Sequence, residues 1–257
     1  MTGSARGRAG RSRYGERVPL VAAAVCPHPP LLVPELAGAA AGELDDLRAA
    51  CAAAVARLYD SAAQTVLVLG AESRSAVLAH PYRGSFAPWG VPLEVRLGAA
   101  GGTAGTDRLP LSLLVGAWLL GRATDRRPVT YRMATVADGE SVSGCREFGE
   151  RLGGDRPWAL LVMGDGSACR GEKAPGYHDP RAEAYDSGVA RALAGADTEA
   201  LLGLDPQVSA ELRTAGRAPW QVLAGAARAA GGDWRGELIY DAAPYGVAYF
   251  VASWERA

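Results

Sequence analysis

An apolar run over residues 18–25 is followed directly by a Cys-Pro-His-Pro-Pro segment at residues 26–30. A short apolar run that ends at a proline is typical of a buried strand. The flanking prolines restrict the backbone and remove hydrogen-bond donors, so His28 is presented from a stiff segment. Because open α/β sheets bind ligands beyond the carboxyl ends of their strands, His28 is a candidate metal ligand or active-site residue. The alternative is a strand-ending turn whose histidine only bonds a neighbouring carbonyl.

Two further apolar runs, at residues 65–70 and 158–163, also predict buried strands. A helix is predicted between the first two runs, over residues 42–59. Its apolar residues recur at spacings of three and four, which indicates one buried face: Leu44, Leu47, Cys51, Val55 and Leu58. This strand–helix–strand order predicts a right-handed crossover and a parallel pair. We therefore expect one α/β domain with a mostly parallel central sheet flanked by helices.

The rest of the chain continues this alternation of strands and helices. Strands are predicted at residues 93–97, 129–134, 236–240 and 247–254, and helices at 109–120, 141–152, 180–194, 198–202 and 220–230. Another helix begins after Asp205, a plausible N-cap, with Pro206 in its first turn. Asp186, on the helix over residues 180–194, is expected to face the end of the sheet. Residues 241–246 are predicted as a turn and residues 79–90 as an aromatic, proline-rich loop.

Length and composition exclude several classes of protein. The 257 residues suit one large domain, assigned to residues 18–257, after a basic and disordered arm at residues 1–17 that carries five arginines. The net charge of −1 argues against nucleic-acid binding. No apolar stretch reaches the roughly 18–20 residues of a membrane span. Four widely spaced cysteines favour reduced thiols and a cytoplasmic location over a disulfide framework.

Polar residues follow the second and third strong strands. Glu72 follows the second, with a surface carboxylate paired to Arg74 as the alternative interpretation. Asp165 and Ser167 follow the third and could orient a substrate or accept a proton, although Asp165 could instead cap its own turn. The Gly-Asp-Gly-Ser sequence at residues 164–167 lacks the Gly-x-Ser-x-Gly pattern of a hydrolase nucleophile elbow, so a serine hydrolase is not indicated.

Other candidates lie in loops, where binding and catalytic residues are concentrated. His80 lies in the loop over residues 79–90 and is a candidate substrate-binding residue or a hydrogen-bonded turn histidine. His178 is a candidate catalytic residue or an exposed residue at a helix start. Lys173 could hold an anionic substrate or simply be an exposed loop lysine. Cys26 and Cys169 are possible soft metal ligands, or small buried hydrophobic residues.

With these strand ends and the closing residues 240–251 in view, the chain resembles the catalytic B subunit of class III extradiol ring-cleavage dioxygenases. That superfamily also contains the MEMO-like proteins, and the resemblance is to its actinobacterial branch. It covers roughly residues 18–256, and the Pro-His-Pro-Pro segment at residues 27–30 is its most specific part. The resemblance implies one α/β domain with a non-haem Fe(II) held by two histidines and a carboxylate. Such a metal leaves positions open for a catecholic aromatic substrate and O₂.

The resemblance also assigns roles to residues. His28 matches the first metal histidine, Glu72 stands at the position of the second, and Asp241 is the carboxylate nearest to the final ligand. One histidine with two carboxylates would hold Fe(II) or Mn(II) less tightly than nitrogen ligands do. The catalytic histidine position falls among Asp165, Ser167 and Cys169.

With His28, Glu72 and Asp241 as metal ligands, His178 and Lys173 are expected to be catalytic together with Asp165 and Ser167. His80 and Tyr245 are expected to bind substrate. One alternative is a divergent member that binds a ligand or partner without turnover. Another is different metal chemistry on a substrate that is not a catechol. A homo-oligomer is possible in each case.

Overall fold

Residues 19–98, 109–124 and 127–257 are described by a computed structural model. The predicted basic arm, residues 1–17, lies outside these ranges. The strands are β1 (Leu20–Cys26), β2 (Thr65–Glu72), β3 (Ala76–Val77), β4 (Tyr82–Ser85), β5 (Glu94–Leu97), β6 (Thr130–Ala137), β7 (Trp158–Met163), β8 (Trp234–Ala242) and β9 (Tyr249–Arg256). The α-helices are α1 (Pro34–Ala37), α2 (Asp45–Asp60), α3 (Leu111–Arg122), α4 (Val142–Arg151), α5 (Ala182–Ala194), α6 (Thr198–Leu202), α7 (Pro206–Glu211) and α8 (Arg217–Ala230).

The central sheet has seven strands in the order β3-β6-β2-β7-β1-β9-β8. The four central strands β6, β2, β7 and β1 are parallel, whereas β3, β9 and β8 pair antiparallel with their neighbours. The predicted α/β class and mostly parallel sheet are confirmed. The predicted pairing of β1 with β2 is corrected, because β7 lies between them and bonds to both.

Helices cover both faces of this sheet. Along β1 the residues alternate between the two layers of the core: Ala24 and Cys26 pack on the side of α2 and α3, and Ala23 and Val25 on the side of α8. Strands that are buried on both faces read as continuous apolar runs, which explains why β1, β2 and β7 could be recognised in the sequence. The predicted buried face is confirmed: Leu47, Cys51, Val55 and Leu58 of α2 are buried, as is Leu44 in the turn directly before the helix.

Strands β4 and β5 form a separate two-stranded antiparallel sheet. β5 lies within the strand predicted at residues 93–97, but β4 lies inside the segment that was predicted as a loop. Its residues pack on the start of α3, because Gly84 approaches the Leu109 and Leu114 side chains so closely that a Cβ would lie 3.0 Å from a Leu114 methyl. This tertiary contact selects an extended conformation that glycine and serine do not favour by themselves.

Two local details bear on the predicted elements. The Asp205 side chain accepts hydrogen bonds from the backbone N–H groups of Gln207 and Val208, at 2.7 and 2.9 Å, so the predicted cap of α7 is confirmed. Asp241 was predicted in a turn, but it lies in β8 opposite Phe250, because the β8–β9 ladder continues past Tyr240. Within the described ranges, no helix combines the length and apolar character that a membrane crossing needs.

Candidate functional site

His28 and Asp165 meet at the carboxyl ends of β1 and β7. The His28 backbone N–H donates a hydrogen bond of 2.8 Å to Asp165 Oδ1, and His28 Nδ1 lies 3.5 Å from the same oxygen. Nδ1 is buried and has no hydrogen-bond partner among the residues that the structure describes, although the two side chains remain 13 % and 16 % exposed. A buried polar atom without a partner costs free energy. The Nδ1–Oδ1 distance of 3.5 Å is too long for a good hydrogen bond, so the carboxylate does not offset this cost.

The turn that carries Asp165 is held rigidly by backbone hydrogen bonds from both sides. The Asp165 carbonyl accepts from the Gly216 N–H at 2.8 Å, and the Gly166 N–H donates to the Ala248 carbonyl at 2.7 Å. Gly164 must be glycine here, because a Cβ would lie 2.5 Å from the Cα of Gly216. The Asp165 carboxylate is therefore placed by a fixed backbone, which favours a preorganised site.

Glu72 and Asp138 lie at the neighbouring strand ends, on β2 and just after β6. The Asp138 N–H donates to the Glu72 carbonyl at 2.9 Å. The pKa of Asp138 is raised by desolvation and then by the negative charge of Glu72, while the charges of Arg217 and His28 act in the opposite direction. His28, Glu72 and Asp138 thus belong to one electrostatic neighbourhood. Sequence reasoning missed Asp138, although the rule that selected Glu72 (a polar residue directly after an apolar strand) applies to it too.

A thiol and a tyrosine lie beneath this edge. Burial raises the pKa of Cys51 well above its ordinary value, and the neighbouring Cys26 and the charge of Asp165 raise it further. Burial followed by the Asp165 charge also raises the pKa of Tyr249. Cys26 and Cys51 are both fully buried. Because its pKa is raised, Cys51 is protonated at neutral pH, which disfavours metal binding, since the thiolate is the form that binds metals. The alternative that Cys26 is a small buried hydrophobic residue fits this environment.

Ser167 is fully buried and contacts Asp186. Its N–H and hydroxyl donate to the two carboxylate oxygens of Asp186, at 2.9 and 2.5 Å, and Arg170 donates to Asp186 at 3.3 Å. Asp186 faces the end of the sheet, in agreement with the sequence prediction, and is itself 1 % exposed. This arrangement gives Ser167 and Asp186 a structural part, which is to fix the turn after β7.

The remaining predicted loop residues lie at the surface. Lys173 and His178 are exposed. His80 is exposed and lies just before β4, where its ring is 4.1 Å from that of Tyr82. The Tyr245 hydroxyl donates to Glu43 at 2.8 Å. The structure therefore brings none of these four into hydrogen-bond contact with the His28–Asp165 pair.

Asp179, next to His178, is held ionised by its neighbour. Hydrogen bonds from Arg181 lower the pKa of the Asp179 carboxyl to about 2. Because this value lies below that of an unfolded aspartate, about 3.9, the pair stabilises the fold above pH 4 and the contribution is lost as the pH falls through 2. We expect Arg181→Gln to return the pKa of Asp179 towards 3.9, measured by NMR titration of its side-chain carboxyl carbon. An unchanged titration in the variant would contradict this account.

The strand order separates the three metal ligands that the resemblance implies. Neighbouring strands are about 4.8 Å apart, so β2 with Glu72 and β8 with Asp241, four places apart in the sheet, are separated by about 19 Å. Asp241 is exposed; partial desolvation raises its pKa, and the positive charge of Arg170 lowers it. Within residues 19–98, 109–124 and 127–257 no group of three His, Cys, Asp or Glu side chains is arranged to hold a metal ion. This arrangement does not fit a single Fe(II) centre built on His28, Glu72 and Asp241.

A cleft of about 630 Å³ opens beside Glu72. Its walls come from the segment after β2, from β3 and from the residues that lead into α3, and include Arg74, Val77, Trp89 and Leu111. Sequence reasoning placed Trp89 in a pocket-lining loop but considered Arg74 only as a partner of Glu72. The two residues are 15 positions apart in the sequence and come from different segments, and only the tertiary structure places both in the lining of one cavity.

The comparisons with known proteins leave the family open. No protein-family model matches the chain, and no curated protein matches it. Among solved structures, the chain is similar to the uncharacterized protein JW3007 from Escherichia coli K12, with a TM-score of 0.45 and 12 % sequence identity. The similarity covers 91 % of this chain and 99 % of that one.

Proposed function

We propose that this chain is an extradiol-dioxygenase-like enzyme that acts on a small catecholic or related aromatic substrate. In this proposal the His28–Asp165 pair transfers a proton to or from a substrate hydroxyl. The observation that carries it is the buried Nδ1 of His28, which lies 3.5 Å from Asp165 Oδ1 and has no hydrogen-bond partner in the described part of the chain. Catalytic hydrogen bonds are often long in a free enzyme and shorten when the substrate binds.

The chemistry suits the residues. Histidine is the side chain most often used for general acid–base catalysis, because its ordinary pKa lies near neutral pH. A carboxylate on one ring nitrogen selects the tautomer and leaves the other nitrogen free to act on the substrate. Glu72 and Asp138 add negative charge to the same strand ends, and the cleft beside Glu72 offers apolar side chains for a ring.

Ring cleavage with Fe(II) and O₂ stays a prediction from the resemblance, and it is testable directly. The protein is purified anaerobically with Fe(II), then given O₂ with protocatechuate or catechol. Support requires a yellow ring-opened product, matching O₂ uptake, stoichiometric iron, and loss of the product in His28→Gln. No product together with no stoichiometric metal would overturn the enzymatic proposal.

The second candidate is a divergent protein that binds an aromatic ligand without turnover. The separation of Glu72 from Asp241 by four strand spacings favours it, because one metal ion bonds carboxylate oxygens at only about 2.0–2.2 Å. Calorimetric titration with catechol under nitrogen distinguishes the two: heat of binding without product formation after O₂ is admitted would support the binding protein.

A further inference from the structure

Large apolar side chains that are exposed to solvent lie together in the cleft beside Glu72. Val77 is 53 % exposed and Trp89 is 37 % exposed, and they are two of the three large hydrophobic residues at the surface of the described chain. Both line this one cleft, with Leu78, Leu109 and Leu111 behind them. Scattered apolar residues on a surface are ordinary, but a cluster in one concave site indicates a binding surface.

Trp89 is held in place at this wall. Its ring makes an edge-on contact with the fully buried ring of Phe86, at 6.1 Å between centroids. The Trp89 backbone N–H donates to the Phe86 carbonyl at 2.9 Å. An anchored aromatic side chain presents a flat apolar surface at little entropic cost, which suits the face of another ring.

Arg74 supplies an available positive charge in the same cleft. Its backbone carbonyl accepts a hydrogen bond from the Thr135 hydroxyl at 2.9 Å, which fixes the chain at that point. Its guanidinium forms no hydrogen bond or ion pair with the part of the chain that the structure describes, and the carboxylate of neighbouring Glu72 instead accepts from the Ser73 backbone N–H at 3.0 Å. An unpaired guanidinium is a two-pronged donor for a carboxylate.

The start of α3 adds to this positive character. Pro110 and Leu111 border the cleft. Among the residues that the structure describes, no side chain caps this end of the 12-residue helix, and its first turn contains no acidic residue. The uncapped N–H groups and the helix dipole favour negative charge nearby. They reinforce the charge of Arg74 and do not define the site by themselves.

We propose that this cleft binds a small aromatic carboxylate. Arg74 pairs with the carboxylate, the ring lies against Trp89 and Val77, and Glu72 at the inner end accepts a hydrogen bond from a ring hydroxyl. The strand end that carries Glu72 lies two places from that of His28, about 10 Å, so the ligand occupies the approach to the proton-transferring pair. The inference rests on the proposed function for its catalytic consequence, but the binding is independent of turnover.

The test measures binding to the metal-free protein under nitrogen. The probes are benzoate, benzyl alcohol, benzylamine and hexanoate. Their binding is measured by calorimetry and by tryptophan fluorescence, in wild type and in Trp89→Phe. Trp89→Phe is needed because the chain has six tryptophans, and only this variant shows whether the change in fluorescence comes from Trp89. Benzoate is expected to bind at least about tenfold more tightly than the neutral alcohol, as charge-assisted pairing implies. Its fluorescence response is expected to disappear in Trp89→Phe.

Two arginine variants assign the effect. Arg74→Gln is expected to weaken benzoate binding about tenfold and to leave benzyl alcohol binding unchanged, whereas Arg235→Gln, at an exposed site on β8, leaves both unchanged. Equal affinity for benzoate and benzyl alcohol, or tighter binding of benzylamine, would overturn the proposal, and tighter binding of hexanoate would overturn its aromatic class. Failure here with ring cleavage intact rejects only the cleft assignment. Binding as expected without turnover rejects only the catalytic proposal.

Discussion

Replacing Asp165 by asparagine is expected to lower turnover of the aromatic substrate by about 10²–10⁴-fold, the usual contribution of a positioned acid–base group. Asparagine keeps an oxygen that accepts from the His28 N–H, a bond of 2.8 Å in the wild type, so the backbone is preserved. What is lost is the negative charge beside His28 Nδ1, which selects the tautomer and stabilises the imidazolium during proton transfer. The fall is expected in kcat with little change in KM, measured by O₂ uptake.

The double variant gives the sharper result. If the two residues work as one unit, Asp165→Asn combined with His28→Gln loses no more activity than the worse single variant, because groups that act together are not additive. Multiplied losses would show that each acts separately and would reject the pair. Asp233→Asn, at an exposed position before β8, is the control, and urea unfolding confirms that each variant is folded.

The second large effect is on stability. Asp186→Ala is expected to lower the free energy of unfolding by about 2–4 kcal/mol, because it leaves two buried donors of Ser167 without an acceptor. Both donors belong to a fully buried residue, so water does not replace the carboxylate. Urea denaturation at pH 7 measures the change, and a loss below that of an exposed substitution would contradict the role given to Asp186.

Two matched variants refine this result. Glu183→Ala removes an exposed carboxylate on the same helix that reaches Arg170 at only 3.9 Å, and pairs of this kind contribute little. Asp186→Asn keeps one acceptor and does not titrate. Burial raises the pKa of Asp186, so the folded protein holds this proton more tightly than the unfolded chain. The stabilisation that comes from this proton is complete below the unfolded pKa and is lost as the pH rises through the native pKa, whereas the hydrogen bonds from Ser167 to the carboxylate persist at pH 7. The stability of wild type relative to Asp186→Asn is therefore expected to fall over that pH range.

Most elements of the fold could be predicted because their signals are local. Strand β7 matches the predicted run at residues 158–163, and α6 matches residues 198–202. β4 was missed, since Tyr-Arg-Gly-Ser has no strand pattern and is extended only because it packs on the start of α3. The boundaries of β8 were too short at both ends, because pairing with β9 extends the strand beyond its apolar centre.

The candidate site was predictable only in part. His28 and Asp165 were both singled out as residues at strand ends, and they meet because β1 and β7 are neighbours. Ser167 also follows the third strong strand in the sequence, but its hydroxyl donates to Asp186, a carboxylate 19 residues later in the chain. A residue's position after a strand is a local property, whereas the direction of its side chain depends on partners far along the chain.

The sequence alone determined the α/β class, the buried strands and the buried face of α2, because burial requires apolar residues at the period of each element. It also determined that His28 follows a strand in a stiff segment. Only the tertiary structure decided the strand order, which places β7 between β1 and β2 and carries Asp241 far from Glu72. Strand order depends on which faces pack together across the whole domain, and no stretch of local sequence encodes that choice.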